Sequence, residues 1–263
     1  MDVRGLLGLL DGLAPWALAE EWDNCGLLVG RPERPVSRVL LALDLRTEVL
    51  DQARAQRCEA VLTHHPVIFG GLAAVTPAGA PGALVLEAAE RGVAVIAAHT
   101  NLDAARGGLN DLFAETLGMV DTAPLTPAAA DPSAGLGRVG EAPGMRVGDL
   151  LERCVALTGT PVRSTADPDA PAGRVACCTG SGGSLIDDAR AAGAGLYVTG
   201  DLRYHDHDRA EGLALVDATH AGVEAALLRT WRARVAGTAS AAGVELLDAG
   251  AGTDPWTVAG GGD

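Results

Sequence analysis

The sequence contains no lysine, so all 20 of its basic residues are arginines, and 34 acidic residues leave a formal net charge of −14. Aromatic residues make up only 3% of the chain. A chain with this charge is repelled by phosphate backbones, and it has few rings to stack on bases. These two shortages argue against nucleic acid as a partner.

Long apolar runs are absent as well, and none approaches the roughly 18 residues that a membrane span needs. The apolar start at residues 6–10 is interrupted by Asp11 and follows a single basic residue, Arg4, which does not predict a signal peptide. The five cysteines include no CxxC pair, as expected for small core residues in a reducing compartment. We therefore expect a cytoplasmic protein without membrane contacts.

Hydrophobic residues make up 48% of the 263 residues, enough for one large or two ordinary domains. Short apolar segments alternate with helical patterns, which predicts an α/β fold with buried parallel strands. Thr47 and Ser184 are expected to cap two of the helices. The predicted strands cover residues 38–45, 60–63, 93–98, 174–178, 196–199 and 213–216.

The second half of the chain repeats the pattern of the first. Shifting residues 38–65 forward by 136 positions gives seven identities in 28 without a gap. An internal duplication explains this match, although chance identities also arise in an alanine-rich chain. Proline and alanine between residues 123 and 133 mark the expected boundary, which divides the chain into halves of residues 1–126 and 127–263.

All six histidines follow the ends of predicted strands. Open α/β sheets bind ligands just beyond the carboxyl ends of their strands, and neutral imidazoles with carboxylates are ligands for divalent metals. Along an extended backbone, neighbouring histidine side chains diverge, which suits two ions better than one. The candidate ligands are His64, His65, Asp103, His220 and Glu224.

Each of these residues also has a simpler interpretation. The two adjacent histidines before Pro66 could form a hydrogen-bonded turn. Asp103 could cap the following helix, and His220 and Glu224, four residues apart, could be a surface pair on one helical face. Their joint occurrence at strand ends favours a metal site with open positions for water.

Five motifs occur in order along the chain: WDNCGL at 22–27, THHP at 63–66, HTNLDAARGGLND at 99–111, a segment at 200–205 and another at 217–224. Together they resemble the Nif-three-like dinuclear metal centre hexameric proteins, the GTP cyclohydrolase 1 type 2 homologues. The chain departs from that pattern at Thr219, where the family commonly has glycine, and at Ala221 and Gly222, which replace a bulkier pair.

The resemblance implies two intertwined, pseudo-duplicated α/β halves with mixed sheets, a homo-hexamer, and two divalent ions between the halves. The first half would carry His64, His65, His99 and Asp103. The second half would carry Asp201, His205, His220 and Glu224. The ions would be Zn, Fe, Mn, Co or Ni, because imidazole and carboxylate ligands do not select among them.

The expected activity is that of a metal-dependent hydrolase, in which a metal-bound hydroxide attacks a nucleotide or related heterocycle. His99 and His205 are candidate catalytic proton shuttles. Residues expected to support the ligands or line the pocket are Trp22, Asp23, Asn24, Asp201 and Tyr204. The alternative is a non-catalytic, metal-binding regulatory or scaffold hexamer, whose ions would be closed off by protein ligands.

A glycine-rich segment at residues 179–184 lies between a predicted strand and a predicted helix. Its backbone N–H groups could cradle a phosphate, or the segment could be a tight turn with a serine cap. The sequence leaves both interpretations open.

Overall fold

The computed structural model describes residues 1–250 and Trp256. Its strands are β1 (Gly26–Val29), β2 (Arg38–Ala42), β3 (Ala60–Thr63), β4 (Ala94–Ala97), β5 (Val120–Pro127), β6 (Gly135–Arg146), β7 (Arg163–Ser164), β8 (Pro171–Ser181), β9 (Leu196–Gly200), β10 (Ala214–Asp217) and β11 (Glu245–Asp248). Its α-helices are α1 (Val3–Leu13), α2 (Thr47–Ala55), α3 (Gly82–Arg91), α4 (Thr100–Ala104), α5 (Leu109–Leu117), α6 (Val147–Thr158), α7 (Ile186–Ala191), α8 (Asp206–Arg209) and α9 (His220–Ala241). Short 3₁₀ helices span Trp16–Leu18 and Gly182–Leu185.

The described residues form two compact units, each with its own sheet. The first contains Met1–Leu109, Pro127–Leu136 and residues 228–250, and the second contains Asn110–Thr126, Gly137–Leu227 and Trp256. The chain therefore passes between the units several times, whereas the boundary expected from composition divides it once. Long-range strand pairing causes this difference: β11, near the end of the chain, pairs in parallel with β2.

The sheet of the first unit has the order β1-β4-β3-β2-β11. Strands β4, β3, β2 and β11 are parallel, and β1 runs antiparallel to β4. Helix α2 is amphipathic and packs Leu50 and Ala53, both fully buried, into the same core as Leu40 and Val61 of the sheet. Burial of these side chains supplies the main driving force for the α/β layering.

The sheet of the second unit has the order β5-β6-β8-β9-β10-β7. Strands β8, β9 and β10 are parallel, whereas β6 and β7 run antiparallel to their neighbours β8 and β10. Ile186 and Ala189 of α7 are fully buried against Ala176 and Tyr197 of the sheet. Both sheets are therefore mixed, and the expected α/β class is confirmed.

The strand register supports the internal duplication. In the first unit β2 pairs with β3 through Val39 and Ala60, and in the second unit β8 pairs with β9 through Val175 and Leu196. Each residue of the second pair lies 136 positions after its counterpart in the first. Each triplet of parallel strands, β2-β3-β4 and β8-β9-β10, also ends in an antiparallel neighbour, β1 or β7.

Two expected helix caps were wrong. Thr47 is the first residue of α2, and Arg46 occupies the cap position without a side-chain hydrogen bond. Ser184 lies inside the 3₁₀ helix, so that Leu185 precedes α7. In both cases the cap position lies one residue away from the hydroxyl, a shift that local sequence does not determine. In the part of the chain that the structure describes, no helix combines the length and apolarity needed to cross a membrane.

Candidate metal-binding residues

His64 and His65 directly follow β3, at the carboxyl end of its sheet. Their backbone N–H groups donate to the carbonyl oxygens of Ala42 and Leu43, which continues the parallel ladder. The His64 ring is fully buried, and its Nδ1 lies 2.9 Å from the carbonyl oxygen of Ala98. Because a carbonyl oxygen only accepts, Nδ1 carries the hydrogen and Nε2 retains its lone pair. This Nε2 lies 3.7 Å from Oδ1 of the predicted ligand Asp103.

The ring of His65 is oriented by a carboxylate that the sequence analysis missed. Its Nδ1 lies 2.8 Å from Oδ1 of Asp44, and the other Asp44 oxygen lies 3.8 Å from Arg46. Asp44 follows β2, the neighbour of β3, so its position after a parallel strand is the signal that could have identified it. The carboxylate accepts the Nδ1 hydrogen and leaves Nε2 of His65 as the basic nitrogen.

His99 follows β4 and is oriented by Asp23. Its Nδ1 lies 2.9 Å from Oδ1 of Asp23, whose other oxygen accepts from the hydroxyl and N–H of Thr100 at 2.5 and 3.1 Å. Burial opposes ionisation of Asp23, but the hydrogen bonds from His99 and Thr100 hold the pKa of this carboxyl well below its usual range. Asp23 is therefore an ionised acceptor.

The thiol of Cys25 lies 3.1 Å from the same carboxylate. Burial, together with the nearby Asp23, raises the pKa of Cys25 to about 12. The thiol therefore donates a hydrogen bond to Asp23 and is not available as a thiolate ligand or nucleophile at neutral pH.

The rings of His64, His65 and His99 form a compact cluster in the first unit. Their centroids are 5.1 Å apart for the pairs that include His64 and 5.5 Å apart for His65 and His99. One ligand nitrogen from each ring lies within 4.8 Å of the other two. Three imidazoles at this spacing could hold one divalent cation.

Trp22 and Phe69 border His99 and are exposed by 60% and 62%. Both rings make edge contacts with the His99 ring, at centroid distances of 6.4 Å. The Asn24 side-chain amide donates to the carbonyl oxygen of Ile68 at 2.7 Å and ties the two loops together. Trp22 is thus an exposed side chain beside the His99 ring, and Asn24 stabilises the contact between the loops.

In the second unit, His220 begins α9 and is held between two carboxylates. Its Nδ1 lies 2.7 Å from Oδ2 of Asp201, and its Nε2 lies 3.0 Å from Oε2 of the buried Glu224. The predicted spacing of four residues therefore does place both side chains on one helical face. Burial opposes a charge on the ring, but hydrogen bonds and attraction from Glu224 and Asp201 raise the pKa of His220 to about 9.

Two glycines of the second unit, Gly180 and Gly182, lie where a Cβ atom would clash with neighbouring side chains. Gly180 has a φ of 68°, and a Cβ built on it would lie 2.6 Å from Oε1 of Glu224. A Cβ on Gly182 would lie 2.1 Å from Oγ1 of Thr199 and 2.4 Å from the hydroxyl of Tyr197. Close packing therefore accounts for these glycines, which favours a structural role for the 179–184 segment over a phosphate cradle.

The departures from the family pattern near His220 compensate for each other. Thr219 has a φ of 65°, in the region that favours glycine. A Cβ on Gly222 would lie 2.5 Å from Oγ1 of Thr219. The small residue at 222 thus leaves space for the threonine side chain that replaces the usual glycine.

His205 and Tyr204 lie on an exposed turn after β9. The His205 side chain is 85% exposed, its Nδ1 is 3.3 Å from Asp208, and its ring makes an edge contact with Tyr204, which is 88% exposed. Among the described residues, His205 makes no hydrogen bond or ion pair with His220. The predicted catalytic role of His205 stays a prediction.

The four histidines of these sites share one hydrogen-bonding pattern. In each of them Nδ1 faces a carbonyl or carboxylate acceptor, namely Ala98, Asp44, Asp23 and Asp201 for His64, His65, His99 and His220. An acceptor on Nδ1 fixes the tautomer and makes Nε2 a better ligand, and this support typically surrounds metal-binding histidines. Imidazole nitrogens with nearby carboxylates fit a divalent transition metal.

The chain is similar to known proteins over most of its length. The family model for Duf34/NIF3 (NGG1p interacting factor 3) matches residues 1–255. A Streptomyces coelicolor protein named "GTP cyclohydrolase 1 type 2 homolog" is 38% identical over 224 residues, which cover 82% of this chain and 79% of that protein. A Lactococcus lactis protein of the same name is 36% identical over 226 residues, which cover 84% and 86%.

A solved Bacillus cereus protein related to NIF3 has the same fold, with a TM-score of 0.90, 24% identity, and coverage of 98% of this chain and 99% of that one. The family match extends over nearly the whole sequence and includes all the histidines described above. The chain belongs to the Duf34/NIF3 (NGG1p interacting factor 3) family.

Proposed function

We propose that this protein is a metal-dependent hydrolase that binds two divalent ions. The proposed ligands are His64, His65 and Asp103 in the first unit and His220 and Glu224 in the second. The observation that carries the proposal is the shared orientation of the rings: Nδ1 of each ligand histidine faces a carbonyl or carboxylate acceptor, which leaves Nε2 as the nitrogen that would bind a metal. Rings oriented in this way suit a cation.

The donor set also bears on the choice of metal. The thiol of Cys25 is occupied by Asp23, and burial raises the pKa values of Cys154 and Cys177 to about 12, so the proposed set contains no thiolate. Imidazole and carboxylate ligands accommodate Zn, Fe, Mn, Co or Ni. When bound, such an ion would lower the pKa of a water molecule and polarise the bond to be cleaved.

The remaining side chains would position the ligands and handle protons. Asp44 and Asp201 hold the rings of His65 and His220 and favour their neutral Nδ1–H form when a cation is bound. His99 and His205 are the predicted proton carriers. A nucleotide or related heterocycle is the proposed substrate class, because relatives are named GTP cyclohydrolase 1 type 2 homologues.

The test is turnover by metal-loaded protein. Wild type loaded with Zn²⁺, Mn²⁺ or Fe²⁺ is incubated with GTP, with simpler nucleotides and with phosphodiester and amide substrates. We expect turnover that the Glu224→Gln variant abolishes and that Glu211→Gln, a change at an exposed carboxylate, leaves intact. Bound metal without any turnover would instead support the non-catalytic alternative, and failure to bind metal would reject the whole proposal.

The proposed assembly is a homo-hexamer, as the resemblance implies. Light scattering of the purified protein measures this directly, with an expected mass about six times that of the 26.6 kDa chain. The mass of a monomer would refute the proposed assembly, but it would not bear on the proposed metal site.

A further inference from the structure

A cavity of about 310 Å³ lies in the second unit, beside the edge strand β7. Its walls come from β7, from the carboxyl end of β10 and from residues 202–208, which follow β9. Open α/β sheets bind small molecules just beyond the carboxyl ends of their parallel strands. Leu202 and Leu215 are the aliphatic residues of the lining, and the other lining residues carry polar groups.

Two arginines that line this cavity have unused donors. The side chain of Arg163 is 76% exposed, and its Nη2 donates to the carbonyl oxygen of Leu202 at 3.2 Å and pairs with Asp217. Among residues 1–250 and Trp256, Nε and Nη1 of Arg163 make no hydrogen bond. In the same residues, the Arg203 guanidinium makes neither a hydrogen bond nor an ion pair. Arg203 is therefore a cation that no carboxylate of the described chain neutralises.

Two hydroxyl groups of the lining add further donors. Oγ of Ser164 accepts from the N–H of Ala166 at 3.0 Å. Oγ1 of Thr165 accepts from the N–H of Leu215 at 2.9 Å. Each oxygen uses a lone pair in this way, so its hydrogen can still be donated. Neither hydroxyl donates to an acceptor within the part of the chain that the structure describes.

The two carboxylates that line the cavity already have partners. One oxygen of Asp217 pairs with Arg163, and the other accepts from the N–H of Thr219 at 3.3 Å. The Asp208 side chain is 69% exposed, and its Oδ2 lies 3.3 Å from Nδ1 of His205. The groups that remain for a ligand are therefore mainly donors, and these suit an anion with several acceptor oxygens.

A phosphate ester matches this donor set better than a carboxylate. It offers three terminal oxygens, enough to accept from two guanidiniums and two hydroxyls together, whereas a carboxylate offers two. The planar guanidinium of arginine also binds phosphate through two parallel hydrogen bonds. Tyr204, which is exposed and lines the same cavity, adds an aromatic ring on which a heterocycle can stack.

We infer that this cavity binds the phosphate group of a nucleotide or other phosphate monoester. Arg203 is the principal cation of the site, and Arg163, Ser164 and Thr165 supply further donors. The assignment of this ligand as the substrate rests on the proposed function, whereas its binding requires no metal.

The position of the cavity agrees with a substrate site. Leu202 of the lining directly follows Asp201, which accepts from Nδ1 of the proposed metal ligand His220 at 2.7 Å. Asp217 of the lining lies three residues before His220. A phosphate group held here would therefore bind next to the segments that carry and orient His220.

The test is isothermal titration calorimetry of full-length, chelator-treated protein with GMP and with guanosine, which lacks the phosphate. Wild type is compared with Arg203→Gln and Arg4→Gln. Arg4 is the matched control, because it is also exposed and its side chain forms no ion pair within the described chain, but it lies on α1 of the first unit. Circular dichroism establishes that each variant is folded.

We expect wild type to bind GMP at least about 10-fold more tightly than guanosine, and Arg203→Gln to bind GMP about 10-fold or more weakly than wild type. Arg4→Gln should bind GMP as wild type does. Equal affinities for GMP and guanosine, or wild-type affinity for GMP in Arg203→Gln, would overturn the inference. If Arg203→Gln does not fold, Ser164→Ala decides: weaker binding of GMP supports the site, and unchanged binding overturns it.

Competition distinguishes phosphate from other anions. Inorganic phosphate should displace GMP from wild type, and acetate at the same concentration should not; equal displacement by acetate would overturn the assignment to phosphate. All of these measurements are made without metal. Their failure would leave the metal-dependent function standing, and failure of the protein to bind metal would leave the phosphate site standing.

Discussion

The ion pair between His220 and Glu224 predicts a specific pH dependence of stability in the metal-free protein. The pKa of His220 is raised from 6.5 to about 9, a difference worth at most about 3.4 kcal/mol at 1.36 kcal/mol per pH unit. Because the folded-state pKa is the higher one, this stabilisation is fully present below pH 6.5 and is lost as the pH rises through 9. Glu224→Gln removes the main cause of the raised pKa while keeping the size of the side chain.

The assay is urea unfolding of chelator-treated protein at pH values from 6 to 10, followed by circular dichroism. We expect Glu224→Gln to lower the free energy of unfolding by about 2 kcal/mol at pH 6, and this deficit to shrink towards zero at pH 10. Asp208→Asn is the control, because it removes a carboxylate that pairs with His205 on the exposed surface, and it should change stability by less than about 1 kcal/mol at every pH. A deficit in Glu224→Gln that stays constant from pH 6 to 10 would refute the reasoning.

Three further experiments test two close approaches of glycines and one buried ion pair. Gly180→Ala should displace the carboxylate of Glu224, lowering Zn²⁺ affinity measured by chelator competition; unchanged affinity would contradict the close approach. Gly222→Ala should lower the melting temperature through its clash with Thr219, and adding Thr219→Gly should restore it; additive effects of the two changes would show that they are not coupled. Arg138 is fully buried and pairs with the buried carboxylate of Asp111, which Arg138→Met would leave without its cation. This change should lower the free energy of unfolding by about 3 to 5 kcal/mol, whereas a loss under about 1 kcal/mol would show that the pair of Arg138 and Asp111 is not isolated from solvent.

The sequence predicted the features that depend on local patterns. Helix α1 ends at Leu13, before Pro15, and α3 ends before Gly92, which adopts the left-handed conformation with a φ of 67°. The internal shift of 136 positions, found from identities alone, reappears in the pairing of Val39 with Ala60 and of their counterparts in the second unit. Periodicity and terminators determine these features, so no long-range information was needed.

The features that the sequence missed depend on contacts between distant segments. Composition placed one boundary near residue 126, but the pairing of β11 with β2 returns the end of the chain to the first sheet. Asp44 was overlooked because its role comes from the ring of His65, 21 residues away. Asp23 was identified only as a member of a motif, and its contact with His99 spans 76 residues. Local propensity carries no information about such partners.

The metal content of the purified protein tests the central claim most directly. Protein isolated from cells grown without added metal is measured by elemental analysis, for wild type, His65→Ala and the surface control His207→Ala. We predict about two divalent ions per wild-type chain, an unchanged content in His207→Ala, and a loss of about half in His65→Ala, since divergent neighbouring histidines would serve separate ions. A wild-type protein that contains no divalent metal and takes up none when it is supplied would contradict the account, and a full metal content in His65→Ala would refute the ligand assignment.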